Sequence, residues 1–218
     1  RRSNMSITDG YNILIETNQF LNAGKATNLS EGATVGMGLN IEAYRSRDDN
    51  GNFVYWERAY DITIRNNIEK GSRGGGFGIS IGEKITIEGN DMEKSIGDQI
   101  KEINKKIAGG IESETIENNL ISGNQINEYT TGIMMYDQDI EVTNNTINNC
   151  INGINFKRIR DCEITGNVIN SNHQSSKGMG ATLTHANNIL IENNEINVIK
   201  DQLLFVHLNN KAGEENNN

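Results

Sequence analysis

The chain has 218 residues, of which 35% are hydrophobic, and 29 acidic against 20 basic side chains give it a formal net charge of −9. This charge argues against a nucleic-acid partner, because phosphates require a surplus of Lys and Arg, and against binding to an anionic membrane surface. No run of about 18 apolar residues occurs, so we expect no membrane insertion. The low apolar content suits a solenoid, since each turn of a solenoid buries only a narrow apolar strip.

The first residues, RRSNMSITDGYN, contain no apolar signal segment and lead directly into a predicted strand. We therefore interpret residues 1–218 as a single domain taken from a longer protein. Cys150 and Cys162 are the only cysteines, and their spacing fits neither a disulfide framework nor a zinc site. The sequence thus predicts two buried thiols, no metal and no cofactor.

Seven segments of the chain share one pattern. They are NILIETNQF, DITIRNNI, KITIEGNDM, NNLISGNQI, DIEVTNNTI, DCEITGNVI and NILIENNEI, and they align on Asn18, Asn67, Asn90, Asn124, Asn145, Asn167 and Asn194. These anchor asparagines are separated by 49, 23, 34, 21, 22 and 27 residues. The repeat unit is therefore about 22 residues, with three insertions.

Isoleucine-type residues alternate with polar ones ahead of each anchor asparagine. Three residues before it stand Ile15, Ile64, Ile87, Ile121, Val142, Ile164 and Ile191; five before it stand Ile13, Ile62, Ile85, Asn119, Ile140, Cys162 and Ile189. This period of two predicts a short strand with one buried face, in which Asn119 is the misfit. The residue just before each anchor is Thr, Asn or Gly, which favours a sharp corner, and the anchors themselves predict a buried amide ladder.

A second strand begins at a glycine in most units: GLNIE, GISIG, GIESE, GIMMY, GINFK and GATLT. Short strands repeating at one period pair with the same strand one coil away, about 4.8 Å along the axis. The sequence therefore predicts an all-β, parallel solenoid of about seven coils. Leucine-rich and ankyrin arrays are disfavoured, because neither helical periodicity nor an LxxLxL frame is present.

These units resemble the single-stranded, right-handed parallel β-helix repeats of the pectate-lyase-like superfold, which includes pectin-degrading enzymes, alginate epimerases and phage tailspikes. The resemblance covers residues from about 10 to 200 and implies a polysaccharide partner, an extracellular or virion-surface location and, for a tailspike, a homotrimer. The aspartate clusters of pectin hydrolases, the calcium aspartates of pectate lyases and the DPH motif of alginate epimerases are not found. No catalytic residue is therefore carried over from those families.

Three insertions interrupt the repeat, at 43–60, 92–109 and 170–179. The first holds Trp56 and several tyrosines, whose flat rings suit sugars, together with Arg45, which can hold an acidic group; packing of the loop onto the solenoid explains the aromatics equally well. Asp48 is a further binding candidate, within a DDNG sequence that predicts a hairpin turn in preference to a calcium loop. The second insertion has the isoleucine spacing of a short helix, and the third is polar.

The second and fourth residues after each strand glycine are expected to point outward and to form two exposed columns. Small residues at Ser80 and Gly82 then form a groove floor between Glu42 on one side and Glu112 and Glu114 on the other. Glu42 and Glu114 are two coils apart, about 9 to 10 Å, which is close to the carboxyl separation of roughly 6.5 to 9.5 Å in inverting glycosidases. One glutamate, desolvated by the aromatic loop, serves as the acid and the other activates water.

The functional prediction is therefore binding and hydrolysis of a bacterial surface or capsular polysaccharide by a tailspike-like or secreted protein. A lyase or epimerase is the second enzymatic interpretation. It requires a base such as Lys or Tyr and a cation that neutralises a uronic carboxylate, and Tyr136 and Lys157 lie in adjacent coils of one column. The third is a glycan-binding adhesin or structural shaft without catalysis, in which the outward glutamates only keep a β-rich surface soluble.

Overall fold

The structure is a computed structural model and describes residues 3–24, 36–43, 45–50, 53–93, 109–171 and 179–198. Seven coils follow one another in this part of the chain. Coil 1 contains β1 (Met5–Ile7), β2 (Gly10–Glu16) and β3 (Gln19–Leu21); coil 2 contains β4 (Met37–Glu42), the hairpin strands β5 (Arg45–Arg47) and β6 (Phe53–Trp56), β7 (Ala59–Arg65) and β8 (Ile68–Lys70). Coil 3 contains β9 (Gly75–Glu88) and β10 (Asp91–Glu93), and coil 4 contains β11 (Gly109–Glu117), β12 (Asn119–Ser122) and β13 (Gln125–Asn127). Coil 5 contains β14 (Thr131–Gln138), β15 (Ile140–Thr143) and β16 (Thr146–Asn148), coil 6 contains β17 (Asn152–Thr165) and β18 (Val168–Ser171), and coil 7 contains β19 (Met179–Thr184), β20 (Asn187–Glu192) and β21 (Glu195–Val198).

The strands form three faces, and all pairings between coils are parallel. We call them the glycine face (β1, β4, the start of β9, β11, β14, the start of β17, β19), the asparagine face (β2, β7, the end of β9, β12, β15, the end of β17, β20) and the short face (β3, β8, β10, β13, β16, β18, β21). Strands β9 and β17 turn the corner between the first two faces without a break. The predicted all-β parallel solenoid of about seven coils is confirmed.

The apolar core runs along the axis, enclosed by the three faces. The two isoleucine columns predicted for the asparagine face are aligned by the register, for example Ile62 with Ile85 and Ile64 with Ile87. Cys162 is 2% exposed and pairs with Ile189, so it occupies the isoleucine column as predicted. Asn119 is also buried there, and its carboxamide oxygen accepts the backbone N–H of Ile85.

The anchor asparagines form a continuous ladder from coil 1 to coil 7. Each Nδ2 donates to the Oδ1 of the asparagine in the next coil, at 2.9 to 3.1 Å. The same Oδ1 accepts the backbone N–H of the asparagine in the previous coil, as Asn145 does from Asn124 at 3.0 Å. The predicted ladder is therefore confirmed, and it satisfies polar groups that would be costly to bury unpaired.

Each coil bends where a residue adopts a left-handed backbone. The corner before the ladder has φ between 53° and 65° at Thr17, Asn66, Gly89, Gly123, Asn144, Gly166 and Asn193, as predicted. A second corner, between the glycine and asparagine faces, has φ between 52° and 54° at Asn12, Asp61, Lys84, Asn118, Asp139, Asp161 and Asn188. Asn and Asp tolerate this conformation better than most residues, which explains why most of the repeats begin with one of them.

The insertions are only partly described. The first contains the antiparallel hairpin of β5 and β6, and Asp48 Oδ1 accepts the backbone N–H of Asn50 at 2.9 Å, so the predicted hairpin turn is confirmed. The helix predicted for 92–109 is wrong at its start, since Met92 and Glu93 belong to β10, and 94–108 lie outside the described residues. Residues 172–178 of the third insertion and 199–218 also lie outside them.

Candidate functional site

The glycine face carries most of the predicted site residues, and its register differs from the predicted one in coil 3. Met37 pairs with Gly75 and Leu39 with Phe77, so Gly38 is aligned with Gly76 and not with Gly78. Burial of the Phe77 ring favours this frame, because Phe77 is fully buried and packs edge-on against Phe20 with ring centroids 5.8 Å apart. The predicted alignment of GISIG is therefore wrong by two residues.

This shift changes the predicted groove floor. Gly78, in place of Ser80, lies opposite Asn40 and Glu112. Gly82 is buried and pairs with Ile116 near the corner, so it is no part of the floor. The space outside Gly78 is filled, since a Cβ added there would come within 2.7 Å of Met37 Cε and 3.1 Å of Asn40 Oδ1. The prediction of an open groove floor between acidic walls is thus wrong at Gly78.

Glu42 lies at the end of β4 with its side chain exposed. Its Oε2 accepts a hydrogen bond from Asn40 Nδ2 at 2.9 Å. Asn40 itself is 5% exposed, which contradicts its predicted place in an exposed column, because it turns toward Glu42 and lies beside Met37 and Gly78. A β-bulge follows Ile41, so Glu42 pairs with Ile81 and the carboxylate is held at an irregularity of the sheet.

Glu112 and Glu114 are brought to the same face by β11, two coils from Glu42. Glu112 pairs with Gly78 and Met134. Glu114 lies between two residues that pair with Ile79 and Ile81, which puts it opposite Ser80. The backbones of β4 and β11 are therefore about 9.6 Å apart. The side chains of Ser80, Glu112 and Glu114 lie outside the described residues.

Tyr136 and Lys157 are directly opposite each other on β14 and β17. Both side chains are half-buried, and Lys157 pairs in turn with Thr184 on β19. The prediction that these two residues lie in adjacent coils of one column is confirmed. The register aligns Glu114 with Tyr136, Lys157 and Thr184, so the fourth-position column spans coils 4 to 7, about 14 Å. Glu42 is displaced from it by one residue, because its partner Ile81 pairs with Thr115.

The candidate residues of the hairpin follow Glu42 closely in the sequence, since β5 begins at Arg45. Arg45 pairs with Trp56 across the hairpin, and the side chains of both lie outside the described residues. The hairpin leads through Glu57 and Arg58 into Tyr60, the second residue of β7. Among the described residues, no group of three or more His, Cys, Asp or Glu side chains is gathered closely enough to hold a metal ion.

Sequence analysis missed an aromatic stack at the corner between the glycine and asparagine faces. The rings of Tyr11 and Tyr60 are stacked with centroids 5.1 Å apart and planes inclined by 10°. The Arg58 guanidinium lies 4.7 Å from the Tyr60 ring centroid and donates to Glu83 Oε2 at 3.1 Å. The partners are 49 residues apart, and only the repeat alignment, which places Tyr11 and Tyr60 at equivalent positions, could have indicated the stack.

A buried polar cluster was also missed. Glu69 occupies the inward column of the short face between Phe20 and Met92 and is fully buried. The Tyr129 hydroxyl donates to its Oε2, and the Ser72 N–H donates to its Oε1 at 3.2 Å. Burial, reinforced by the Glu69 charge and hydrogen bond, raises the pKa of Tyr129 well above its ordinary value. The cluster is enclosed by the core, so we assign it a structural role.

A family model described as "Right handed beta helix region" matches residues 31–196, about three quarters of the chain. The chain belongs to the right-handed β-helix family. Its coils, faces and asparagine ladder are therefore those of a β-helix. Separately, within the described residues no helix is long and apolar enough to cross a membrane.

Two known proteins are similar to this β-helix. The uncharacterized protein YclG of Bacillus subtilis (strain 168) is 28% identical over 216 residues, which cover 89% of this chain and 35% of YclG. The solved structure of the Streptococcus pneumoniae surface protein and adhesin PfbA matches with a TM-score of 0.65 at 16% identity, covering 92% of this chain and 62% of that one. The β-helix thus spans about a third of YclG and under two thirds of PfbA, and the likeness to PfbA shows the fold.

Proposed function

We propose that this β-helix binds a polysaccharide along its glycine face, as part of a protein at the surface of a cell or virus particle. The observation that carries the proposal is the register of that face, which aligns Glu114, Tyr136, Lys157 and Thr184 along the axis over about 14 Å. Glu42 lies two coils from Glu114 and is displaced from this line by one residue at the β-bulge. A straight row of carboxylate, phenol, ammonium and hydroxyl groups suits the hydroxyls of an extended glycan. The description of PfbA as a surface protein and adhesin supports a binding role at a surface.

The proposal extends from binding to hydrolysis of the polysaccharide. Glu42 and Glu114 are the pair, because β4 and β11 hold their backbones two strands apart, about 9.6 Å, which is close to the carboxyl separation of roughly 6.5 to 9.5 Å in inverting glycosidases. Asn40 Nδ2 donates to Glu42 Oε2 and holds this carboxylate in place, so we assign Glu42 the role of base and Glu114 that of acid. The exposure of Glu42 agrees with a carboxylate that activates solvent water.

The second candidate is elimination of a uronic polymer. Its support is the pairing of Tyr136 with Lys157, which places a phenol and an ammonium on adjacent strands. The lysine would neutralise the uronic carboxylate, and the tyrosine would remove the neighbouring proton.

The test separates binding from the two reactions. The parent protein and the Glu42→Gln, Glu114→Gln and Tyr136→Phe variants are incubated with a panel of bacterial capsular and surface polysaccharides. Released reducing ends report hydrolysis, and the ultraviolet absorbance of an unsaturated product reports elimination. Glu163→Gln on the asparagine face, also exposed, is the matched control.

We expect loss of cleavage with retained binding in both glutamate variants, about 100-fold or more in rate, and parental activity in the control. An unsaturated product lost in Tyr136→Phe would favour elimination instead. Binding without cleavage by the parent on every glycan would overturn both reactions and leave an adhesin. Absence of binding to the whole panel would overturn the proposal.

A further inference from the structure

Three cations lie close together on β17 in coil 6, where the glycine face meets the corner to the asparagine face. Lys157 is half-buried, and Arg158 and Arg160 are exposed. The corner follows at once, at Asp161, which has a left-handed backbone. The three cations are thus contained in about 10 Å of strand. We call Lys157, Arg158 and Arg160 the basic patch.

The basic patch carries charge that the described part of the fold does not neutralise. Four described cations of other coils are paired with carboxylates at 2.8 to 4.0 Å, and these pairs are Arg58 with Glu83, Arg65 with Glu16, Lys70 with Glu93 and Lys84 with Asp61. Among the described residues, none of the three patch side chains has such an ion pair. In a chain with a formal net charge of −9, this coil is therefore a local site of attraction for an anion.

The residues in register with Lys157 and Arg160 are polar and uncharged. Their partners in coils 5 and 7 are Tyr136, Gln138, Thr184 and Asn187. Arg160 Nε donates to Gln138 Oε1, which holds the guanidinium and leaves its two terminal nitrogens for a ligand. Asp161 is engaged with coil 7, where its Oδ1 accepts Asn188 Nδ2 at 2.6 Å. An oxyanion over the patch therefore meets hydrogen-bond donors, and no carboxylate, at these partner positions.

The backbone at Arg158 provides a second, independent observation. A β-bulge interrupts the pairing of β14 with β17 and leaves Arg158 without a counterpart in coil 5. Its φ is 55°, in the left-handed region that Asn and Gly occupy with least strain. Lys84 shares this conformation, but its charge serves the fold, since it lies 4.0 Å from Asp61. Arg158 has no such ion pair among the described residues, and a strained residue at a β-bulge is typical of a functional site.

We propose that the basic patch is a subsite for an oxyanion substituent, a carboxylate or a phosphate, of an acidic polysaccharide. The two guanidinium groups offer paired N–H donors that match the geometry of such a group, and Lys157 adds a point charge. The inference deepens the proposed glycan binding and rests on it. Lys157 is two coils from Glu114, about 9.6 Å, so the acidic sugar lies beside the candidate catalytic pair and fixes the position of the polymer on the glycine face.

Calorimetry of the parent protein with three oligosaccharides tests the requirement for an acidic group. Hexagalacturonate carries carboxylates, a phosphomannan oligosaccharide carries phosphates, and maltohexaose is neutral. We expect at least one acidic ligand to bind about ten-fold or more tightly than maltohexaose, and the tighter of the two identifies the oxyanion. Its affinity should fall as the NaCl concentration rises from about 0.05 to 0.5 M, because salt screens exposed charges.

The variant Arg158→Asn separates binding from folding. It removes one charge and introduces a residue that tolerates a φ of 55°, so the urea midpoint should stay the same or rise while affinity for the acidic ligand falls about ten-fold. Arg65→Gln is the matched control. It removes the same charge from the asparagine face, where Arg65 is paired with Glu16, and should leave the affinity within about two-fold of the parent's.

Equal losses of affinity in Arg158→Asn and Arg65→Gln would reflect net charge alone and overturn the subsite. Preference of the parent for maltohexaose, or for a panel polysaccharide without acidic groups, would overturn the assignment of an acidic glycan but not glycan binding. Binding of double-stranded DNA as tightly as the acidic oligosaccharides would overturn it as well, since the patch would then attract any polyanion. A parent that binds none of these oligosaccharides, nor any polysaccharide of the larger panel, would refute the proposed function itself.

Discussion

Asn124 Nδ2 donates to Asn145 Oδ1 at 2.9 Å across the boundary between coils 4 and 5. The same Oδ1 accepts the backbone N–H of Asn124 at 3.0 Å, and both residues are fully buried. A single carboxamide oxygen thus satisfies two donors of the preceding coil, while the Nδ2 of Asn145 donates to the backbone oxygen of Ile121 at 2.9 Å. The ladder therefore stabilises each coil boundary through three groups that have no access to water.

Asn145→Ala should destabilise the β-helix by about 2–4 kcal/mol, because it leaves buried donors of Asn124 and the oxygen of Ile121 unpaired. Urea unfolding followed by circular dichroism measures the change. Asn197→Ala is the control: Asn197 Nδ2 donates to Asn170 Oδ1 in an exposed ladder, so its loss should cost no more than about 0.5 kcal/mol. Equal costs would contradict the burial argument.

Gly153→Ala should destabilise the protein by about 1–3 kcal/mol, because the added Cβ lies only 2.5 Å from Ile169 Cγ2 where the glycine face meets the short face. Gly123→Asn is the matched substitution in a corner with φ of +63°, where the nearest atom to a Cβ is 3.9 Å away and other coils already have Asn. We expect it to change the stability by at most about 0.5 kcal/mol. Thermal unfolding of the two variants provides the comparison.

Tyr129→Phe should lower the free energy of unfolding by about 1–3 kcal/mol near neutral pH, since Glu69 then loses a buried donor. The pKa of Tyr129 is raised in the folded state, so the stabilisation due to its neutral hydroxyl is complete below the unfolded pKa of about 10 and declines as pH rises above it. Urea unfolding between about pH 8 and 11 should therefore show a smaller loss of stability in Tyr129→Phe than in the parent. The control Tyr136→Phe should show the same pH dependence of the free energy of unfolding as the parent. If Tyr129→Phe also showed the parent's pH dependence, the role assigned to the Tyr129 hydroxyl would be contradicted.

Neither cysteine should react with a thiol reagent in the folded protein near pH 8. Burial raises the pKa of the Cys150 thiol to about 12 and that of Cys162 to about 11, so both remain protonated as well as inaccessible. Titration with a disulfide reagent should detect no thiol in native buffer and two thiols in denaturant. Rapid reaction of one thiol under native conditions would show local opening of its coil.

The fold could be predicted because its determinants repeat. Asn124 or Ile87 alone indicates little, but equivalent residues at one spacing define a strand, a corner and a ladder. The register of coil 3 could not be predicted from the glycines, because GGGFG offers two frames, and burial of Phe77 against Phe20 selects one of them. That contact joins different coils and has no signature in the local sequence.

The sequence predicted which strands and coils hold the candidate residues, but not the side-chain contacts around them. Alternation along the strands correctly placed Tyr136 beside Lys157 and Glu42 two coils from Glu114. It did not reveal that Asn40 is buried against Met37, or that Glu69 and Tyr129 meet in the core 60 residues apart. Such contacts depend on how side chains fill the space between coils, which the period of two does not encode.

The repeated bonding at the coil boundaries makes the molecule modular in length. Asn145 and Asn167 each donate through Nδ2 to the Oδ1 of the asparagine in the next coil, so the boundary that follows coil 5 is chemically equivalent to the one that follows coil 6. Excising residues 146–167 would bring Asn145 to the position from which Asn167 now meets Asn194. A gene encoding such a protein can therefore lengthen or shorten the rod in steps of about 4.8 Å by gaining or losing one turn, without redesigning any interface.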